Sequence, residues 1–200
     1  MQIQQLAANV GEFLEKLPQV KSWKLSGSLV GGHADALSDV DIEVELSQGN
    51  PRCFILQLPQ YLAETFSVLY YDFAPSCAPE KYIVTLAIDP ENPFSTIDIA
   101  VEGHRSHVHI SREELQKCNN QYDHTLKLFT ANLKHYLRGM DCGSDIEKMY
   151  GRILGETATK VSLMNMLQAT FQWLRENQEP RHTKLLAALE TYIHIKTESQ

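Results

Sequence analysis

The sequence predicts an α+β fold: a mixed β-sheet with flanking helices over residues 1–110, then an α-helical bundle over residues 111–200. Short runs rich in β-branched and aromatic residues, bounded by Pro or Gly, occupy the first part and are typical of strands. From about residue 111, apolar residues instead recur at helical spacing. With 200 residues, of which 43% are hydrophobic, the chain has enough apolar material for one large domain or two small ones.

The first element is an amphipathic helix that ends before Pro18. Ile3, Leu6, Val10 and Phe13 lie on one face, with charged residues off it, so the segment is predicted to be part of the fold and not a signal peptide. Strands are then expected at about 22–28, 40–46, 68–73, 82–88 and 96–101. A helix is expected over 53–66, although Pro59 interrupts its pattern.

The second half begins with a capping box, because Glu114 follows Ser111 at the required spacing of three residues. Gly139 and Gly143 separate the first long helical run from the next. Pro180 precedes the last predicted helix. These runs together predict a helical bundle.

Charge and cysteine content narrow the function classes. The net charge of −7 argues against a nucleic-acid backbone as the main partner, since such sites need a dominant basic surface. None of the four cysteines belongs to a Cys-x-x-Cys pair, which favours reduced thiols in a cytoplasmic protein. No segment approaches the apolar length that spans a membrane.

Residues 27–41 contain the strongest chemical signal. A Gly27-Ser28 turn offers backbone N–H groups and a hydroxyl, which suit phosphate oxygens. Asp39 and Asp41 alternate with the apolar residues of the 40–46 strand, so both point to the same face, about 7 Å apart. Two such carboxylates can share divalent cations. The pattern indicates metal-assisted chemistry on a nucleotide.

A later strand supplies a third carboxylate. Ile97, Ile99 and Val101 point one way and Asp98 the other, and an aspartate there is costly to bury unless it is paired or binds a metal. The alternative is an exposed acid on an edge strand. Asp72 is a rival third acid, although its bulky neighbours favour an incidental position.

Gly27-Ser28, Gly32, Ser38-Asp39-Val40-Asp41 and the later Asp98 together resemble the DNA polymerase beta-like nucleotidyltransferase superfamily. The resemblance covers roughly residues 20–102 and implies a nucleotidyltransferase-type mixed sheet. The helical second half is similar in layout and size to small aminoglycoside and lincosamide adenylyltransferases. Where related sequences often carry a basic or aromatic residue after the Gly-Ser, this chain has Leu29, Val30 and His33, so the cationic partner of the triphosphate stays unassigned.

The resemblance implies a role for each site residue. Asp39 and Asp41 would hold two Mg²⁺ ions, and Asp98 would bind the second ion and accept the proton of the acceptor hydroxyl. Gly27 and Ser28 would hold the β- and γ-phosphates, with Ser38 also assigned to nucleotide binding. The expected reaction is in-line attack of a hydroxyl on the α-phosphorus of a nucleoside triphosphate.

The function expected from these residues is Mg²⁺-dependent transfer of a nucleoside monophosphate, AMP from ATP, to a hydroxyl of a small molecule. An aminoglycoside-like antibiotic is the leading acceptor. Two alternatives stay open: a nucleotidyltransferase that modifies a protein side chain, as antitoxin-type enzymes do, and a non-catalytic nucleotide-binding regulatory module. The oligomeric state is left undetermined.

Other charged residues have two interpretations each. A solvated polar strand face is the favoured interpretation of Glu43, Glu45 and Glu102. The alternative is an acidic floor for a polycationic substrate. Surface positions are the favoured interpretation of His104, His107 and His109. The alternative is a zinc site. Solvated surface charge is the default interpretation of four basic residues, and contact with phosphate is the alternative. They are Lys81, Arg105, Arg152 and Lys160.

Overall fold

The computed structural model describes residues 2–103, 108–155 and 161–197. They belong to two compact units, Met1–Asn120 and Gln121–Gln200. The fold class is α+β as predicted, with a five-stranded mixed sheet and, in the described residues, eight α-helices. None of the helices in those ranges combines the length and apolar character needed to cross a membrane.

The first unit contains all five strands. Its elements are α1 (Ile3–Leu14), β1 (Val20–Ser26), α2 (Gly27–Gly31), β2 (Val40–Leu46), α3 (Pro51–Ala63), β3 (Tyr70–Phe73), β4 (Lys81–Ala87), β5 (Ile97–Glu102) and α4 (Arg112–Lys117). The strand order is β1-β2-β5-β4-β3. The β2–β5 pair is parallel and the other three pairs are antiparallel. After β2 the chain therefore passes through α3 to β3 at the far edge of the sheet, and then returns through β4 to β5, which lies beside β2.

One face of the sheet is covered by α1 and α3. Alternate strand residues such as Ile42, Val84 and Ile99 are fully or almost fully buried on this face. They share one hydrophobic core with apolar residues of α1 and α3, among them Leu6 and Leu58. Because the strand period is two, burial of this residue set directs the intervening polar residues to the opposite face.

Packing of α1 on β1 depends on a small residue. A side chain at Gly11 would overlap the indole ring of Trp23, so the helix approaches the strand closely at this point. Trp23 Nε1 also donates a hydrogen bond of 2.9 Å to Glu15 Oε1, just past the end of α1. The indole therefore fastens the first helix to the edge strand.

The strand predicted at 22–28 ends earlier, at Ser26, and that part of the prediction is wrong. Gly27 has φ of 66°, a left-handed conformation that non-glycine residues rarely adopt, and the chain turns there into the short helix α2. The Gly27-Ser28 pair thus begins a helix directly after a strand. The helix predicted at 53–66 begins earlier, at Pro51, capped by the Asn50 side chain, and continues through Pro59.

The capping box predicted at Ser111 and Glu114 is confirmed, with both reciprocal hydrogen bonds present at the start of α4. Arg112 Nε donates to the Ala78 carbonyl at 2.8 Å. The Asn119 side chain bonds both the N–H and the carbonyl of Phe73, at the end of β3. These contacts place α4 in the sheet unit, so the unit extends past the residue 110 at which the sequence predicts it to end.

The second unit consists of α5 (Gln121–Leu137), α6 (Gly143–Leu154), α7 (Leu163–Glu176) and α8 (Thr183–Thr197). Its core contains Phe129 and Phe171, whose ring centroids are 5.6 Å apart. Leu133, Ile146 and Leu189 are fully buried. The apolar residues that recur at helical spacing in the sequence thus form the core of this unit, as predicted.

Candidate functional site

The polar face of the sheet carries one row of aligned polar residues that crosses all five strands. Register pairs Ser26 with Asp41, Asp41 with Asp98, Asp98 with Thr85, and Thr85 with Asp72. Residues directly opposite one another on paired strands point to the same face. We call these five residues the polar row.

Asp41 and Asp98 are the central pair of the polar row. Their Cα atoms are register partners on adjacent parallel strands, which sets the strands about 4.8 Å apart. Both residues are half-buried. Two carboxylates held side by side on neighbouring strands repel each other unless a cation or proton lies between them. The backbone thus brings together the two acids that the sequence places far apart in the chain.

The turn at Gly27 packs directly against the carboxylate of Asp41. A Cβ atom built on Gly27 would overlap Asp41 Oδ2, so a larger residue here would force the Asp41 side chain to move. The positive φ of Gly27 independently favours glycine. The Gly-Ser turn and the acidic pair are therefore one continuous surface.

Ser28, the second residue of the turn, has a buried hydroxyl oxygen with no hydrogen-bond partner within the described ranges. A buried hydroxyl without a partner is costly, and such groups in native proteins call for an explanation. A ligand oxygen beside the turn is one that fits the donor chemistry of this site.

Asp39 and Ser38 lie immediately before β2. Asp39 is half-buried, and its exposure continues the alternation of the strand that begins at Val40. Ser38 is 3% exposed, and its hydroxyl exchanges hydrogen bonds of 2.9 Å with Asp35: it donates to Oδ1 and accepts from the backbone N–H. Ser38 therefore closes the loop that presents Asp39. Its predicted contact with a nucleotide stays a prediction.

The donor chemistry of this face suits a hard cation, because carboxylate oxygens are the ligands that Mg²⁺ prefers. The described residues contain no group of three His, Cys, Asp or Glu side chains clustered as a metal site. The backbone register brings Asp41 and Asp98 together; the addition of Asp39 to that pair stays a prediction.

Asp72, the rival third acid, belongs to the polar row but lies two strands away from Asp98, beyond Thr85 on β4. That separation is about 10 Å between Cα atoms. Asp72 is 1% exposed, whereas Asp98 is half-buried. Asp98 is consequently the third acid that neighbours Asp41.

Thr85 was not anticipated from the sequence as part of this face. Its alternation with Val84 and Leu86 along β4 is the signal that could have placed it there. Which strand lies beside β4 cannot be read from that alternation, so its alignment with Asp98 required the sheet order.

The predicted acidic floor is largely neutralised. Lys24 Nζ lies 2.9 Å from Glu43 Oε2, and Lys81 Nζ lies 3.4 Å from Oε1 of the same carboxylate. Their hydrogen bonds and charges hold the pKa of Glu43 below its usual range. Lys21 Nζ lies 2.6 Å from Glu45 Oε1. These pairs favour the interpretation of a solvated polar face.

The remaining candidates divide between paired and undescribed residues. Arg152 Nη1 lies 2.8 Å from His124 Nε2, and His109 Nδ1 lies 3.3 Å from the Tyr82 hydroxyl. Outside the described residues lie His104, Arg105, His107 and Lys160. The cation that would neutralise a triphosphate thus stays unassigned.

Comparison with protein-family models and with curated proteins identified no relative of this chain. The chain matches none of the protein-family models against which it was scanned, and no curated protein matches it.

Proposed function

We propose that this chain is a Mg²⁺-dependent nucleotidyltransferase that moves a nucleoside monophosphate, AMP from ATP, to a hydroxyl of a small molecule. The observation that carries the proposal is the side-by-side register of Asp41 and Asp98, with the Gly27 turn packed against Asp41. A phosphate-binding turn in contact with paired carboxylates is what phosphoryl transfer requires.

The chain's own residues would divide the work as follows. Asp98 accepts the proton of the acceptor hydroxyl. At the same time the hydroxyl oxygen forms a bond to the α-phosphorus, and the bond from the α-phosphorus to pyrophosphate breaks. Ser28 and the backbone at Gly27 donate hydrogen bonds to the leaving phosphates. Asp39 and Asp41, together with Asp98, would hold Mg²⁺, which would neutralise charge on the triphosphate and acidify the hydroxyl.

The buried hydroxyl of Ser28 supports this assignment. A phosphate oxygen beside the turn would accept the hydrogen bond for which the described residues provide no acceptor. The proposed setting is the cytoplasm, a compartment in which the four free thiols of this chain remain reduced.

The test is a pyrophosphate-release screen of the four nucleoside triphosphates, with Mg²⁺, against aminoglycosides, lincosamides and plain sugars. We expect release that depends on an acceptor and is lost in Asp39→Asn and Asp98→Asn. Glu12→Gln is the matched control, because it removes an exposed carboxylate from α1, on the other side of the sheet. Full turnover in both aspartate variants would contradict the mechanism.

The alternatives are outcomes of the same screen. Transfer to a co-expressed protein, seen as an added nucleotide mass on a side chain, would favour a protein-modifying enzyme. Metal-dependent triphosphate binding without pyrophosphate release from any acceptor would favour a regulatory module.

A further inference from the structure

We propose that the acceptor is a neutral polyhydroxylated molecule, such as a sugar, and that it binds in a groove on the polar face beside the polar row. The inference rests on the proposed function and names the class of its second substrate. It also departs from the polycationic acceptor that an acidic floor would select.

The groove lies within the sheet unit and has a volume of about 750 Å³. Ala100 lies in its floor as the register partner of Glu43, and the loop residues Ser47, Gln48 and Gly49 border one side. The methyl group of Ala100, a residue that is 8% exposed, is small beside the side chains of Asp98 and Glu102, which lie on the same face of β5. The volume is in the range of small-molecule sites.

The groove begins one strand period from the acidic pair. Glu43 and Ala100 follow Asp41 and Asp98 by two residues on the same two strands, a distance of about 7 Å. A six-membered ring lying on Ala100 can therefore extend one hydroxyl to Asp98. The position of the groove thus matches the requirement of an acceptor for the proposed transfer.

The charges around the groove are balanced. Glu43 at its centre is bonded by both Lys24 and Lys81. Glu45 on the same side accepts hydrogen bonds from Lys21 and from the Ser22 hydroxyl. Two of the three carboxylates that line the groove therefore already hold ammonium groups, and the third is Glu102.

Charge balance decides the class of ligand. An amine entering beside Glu43 would have to displace Lys24 and Lys81, whose ammonium groups would stay within reach and repel it. Hydroxyl groups carry no such penalty, since each can accept from a lysine and donate to a carboxylate at once. Alternating donors and acceptors around a small floor therefore fit a polyol better than a polycation.

The experiment measures binding to the full chain by saturation-transfer NMR, without nucleotide or metal. The probes are methyl glucoside as the neutral sugar and kanamycin as the polycation. We expect the glucoside to bind at least as tightly as kanamycin. Ala100→Leu, which fills the floor, should weaken glucoside binding at least about tenfold, whereas Ala100→Ser, which hardly changes the volume, should retain it.

A second variant does not depend on packing. Lys24→Gln combined with Lys81→Gln removes two partly exposed ammonium groups and leaves the carboxylates unbalanced. We expect kanamycin binding to strengthen about tenfold, because its ammonium groups no longer meet the two lysines that bond Glu43. Tighter kanamycin than glucoside binding in the native chain, or glucoside binding unaffected by Ala100→Leu, would overturn the inference.

Failure of the groove and failure of the proposed function give different results. Glucoside binding with the expected variant pattern, but no pyrophosphate release from any triphosphate, supports the groove and contradicts the transfer reaction. Pyrophosphate release with kanamycin and none with neutral sugars supports the transfer reaction and overturns the groove assignment.

Discussion

Asp41 and Asp98 in the sheet unit and Asp123 in the helical unit are all aspartates withdrawn from water, but their neighbours differ. Asp123 is 3% exposed and accepts from Arg181 Nη2 at 3.2 and 3.4 Å. His182, fully buried, directs its Nε2 toward Asp123 Oδ1 at 3.6 Å. Asp41 and Asp98 are register partners of each other on adjacent parallel strands.

The surroundings of His182 explain its orientation. Its Nδ1 accepts a hydrogen bond of 3.1 Å from the Glu179 backbone N–H. In the neutral ring the proton is therefore assigned to Nε2, the atom that faces Asp123. Arg181 therefore supplies hydrogen bonds to the Asp123 carboxylate, whereas His182 Nε2 faces it from beyond hydrogen-bond distance.

The charges that surround a buried aspartate give a criterion for distinguishing an acid that stabilises the fold from one that binds a ligand. An acid that its own fold pairs with a cation stabilises that fold, and its removal breaks a partly buried ion pair. Like charges on facing strand positions lower stability slightly, and we expect such a pair to serve binding rather than stability. The four predictions below test this contrast, from the largest effect to the smallest.

Asp98→Asn should reduce pyrophosphate release at least about a hundredfold, as loss of a charged group that acts on the transition state typically does. The melting temperature should stay the same or rise, because like charges on facing strand positions cost up to about 1 kcal/mol. Paired activity and thermal-unfolding measurements check this. A clear loss of stability would place Asp98 with Asp123, as a structural acid.

Asp123→Asn should destabilise the chain by about 2 kcal/mol, below the cost of breaking a fully buried pair because Arg181 is 36% exposed. Chemical denaturation followed by far-ultraviolet circular dichroism measures it. Asp145→Asn is the control, since Asp145 is exposed and its pair with Lys148 at 3.4 Å should be worth less than about 0.5 kcal/mol. Equal effects of the two changes would refute the structural role of Asp123.

Gly27→Ala should cost about 1–2 kcal/mol more than Gly32→Ala. Both glycines have positive φ, 66° and 71°, so both changes carry the same backbone penalty. An added methyl meets nothing within 4 Å at Gly32 but overlaps Asp41 at Gly27. If the two variants unfold at the same denaturant concentration, the turn does not pack against the carboxylate as described.

Tyr122→Phe probes the helical unit at high pH. Burial, then the charge of Asp123, raises the pKa of Tyr122 above its ordinary value of 10.0. The folded state thus keeps the phenol protonated where the unfolded state ionises. The contribution of the Tyr122 phenol to the free energy of unfolding is therefore complete below pH 10. It is lost as the pH rises above 10, by at most about 1.4 kcal/mol per pH unit.

The measurement is the free energy of unfolding between pH 8 and 11. The native chain should lose stability more steeply above pH 10 than Tyr122→Phe does. The variant should also lose about 1 kcal/mol at neutral pH, because the hydroxyl donates a 3.0 Å hydrogen bond to the Leu174 carbonyl. Parallel pH profiles of the two proteins would contradict the effect of burial on this phenol.

Local patterns were sufficient for most elements and for the acids Asp41 and Asp98, although not for Thr85. Strand alternation placed Asp41 and Asp98 on polar faces, and the Ser111 capping box marked the start of α4, because both signals extend over only a few neighbouring residues. The end of β1 at Ser26 was missed, since the left-handed turn at Gly27 depends on what packs beside it.

By itself, the sequence determined which side chains share a face, since a strand's two-residue period is a local property. Only the tertiary structure decided that β5 lies beside β2, which aligns Asp98 with Asp41, and that Lys24 and Lys81 both reach Glu43. Strand order follows from how the whole unit buries its apolar face against α1 and α3. The acids of the proposed site could therefore be named from the chain, whereas the groove beside them required the fold.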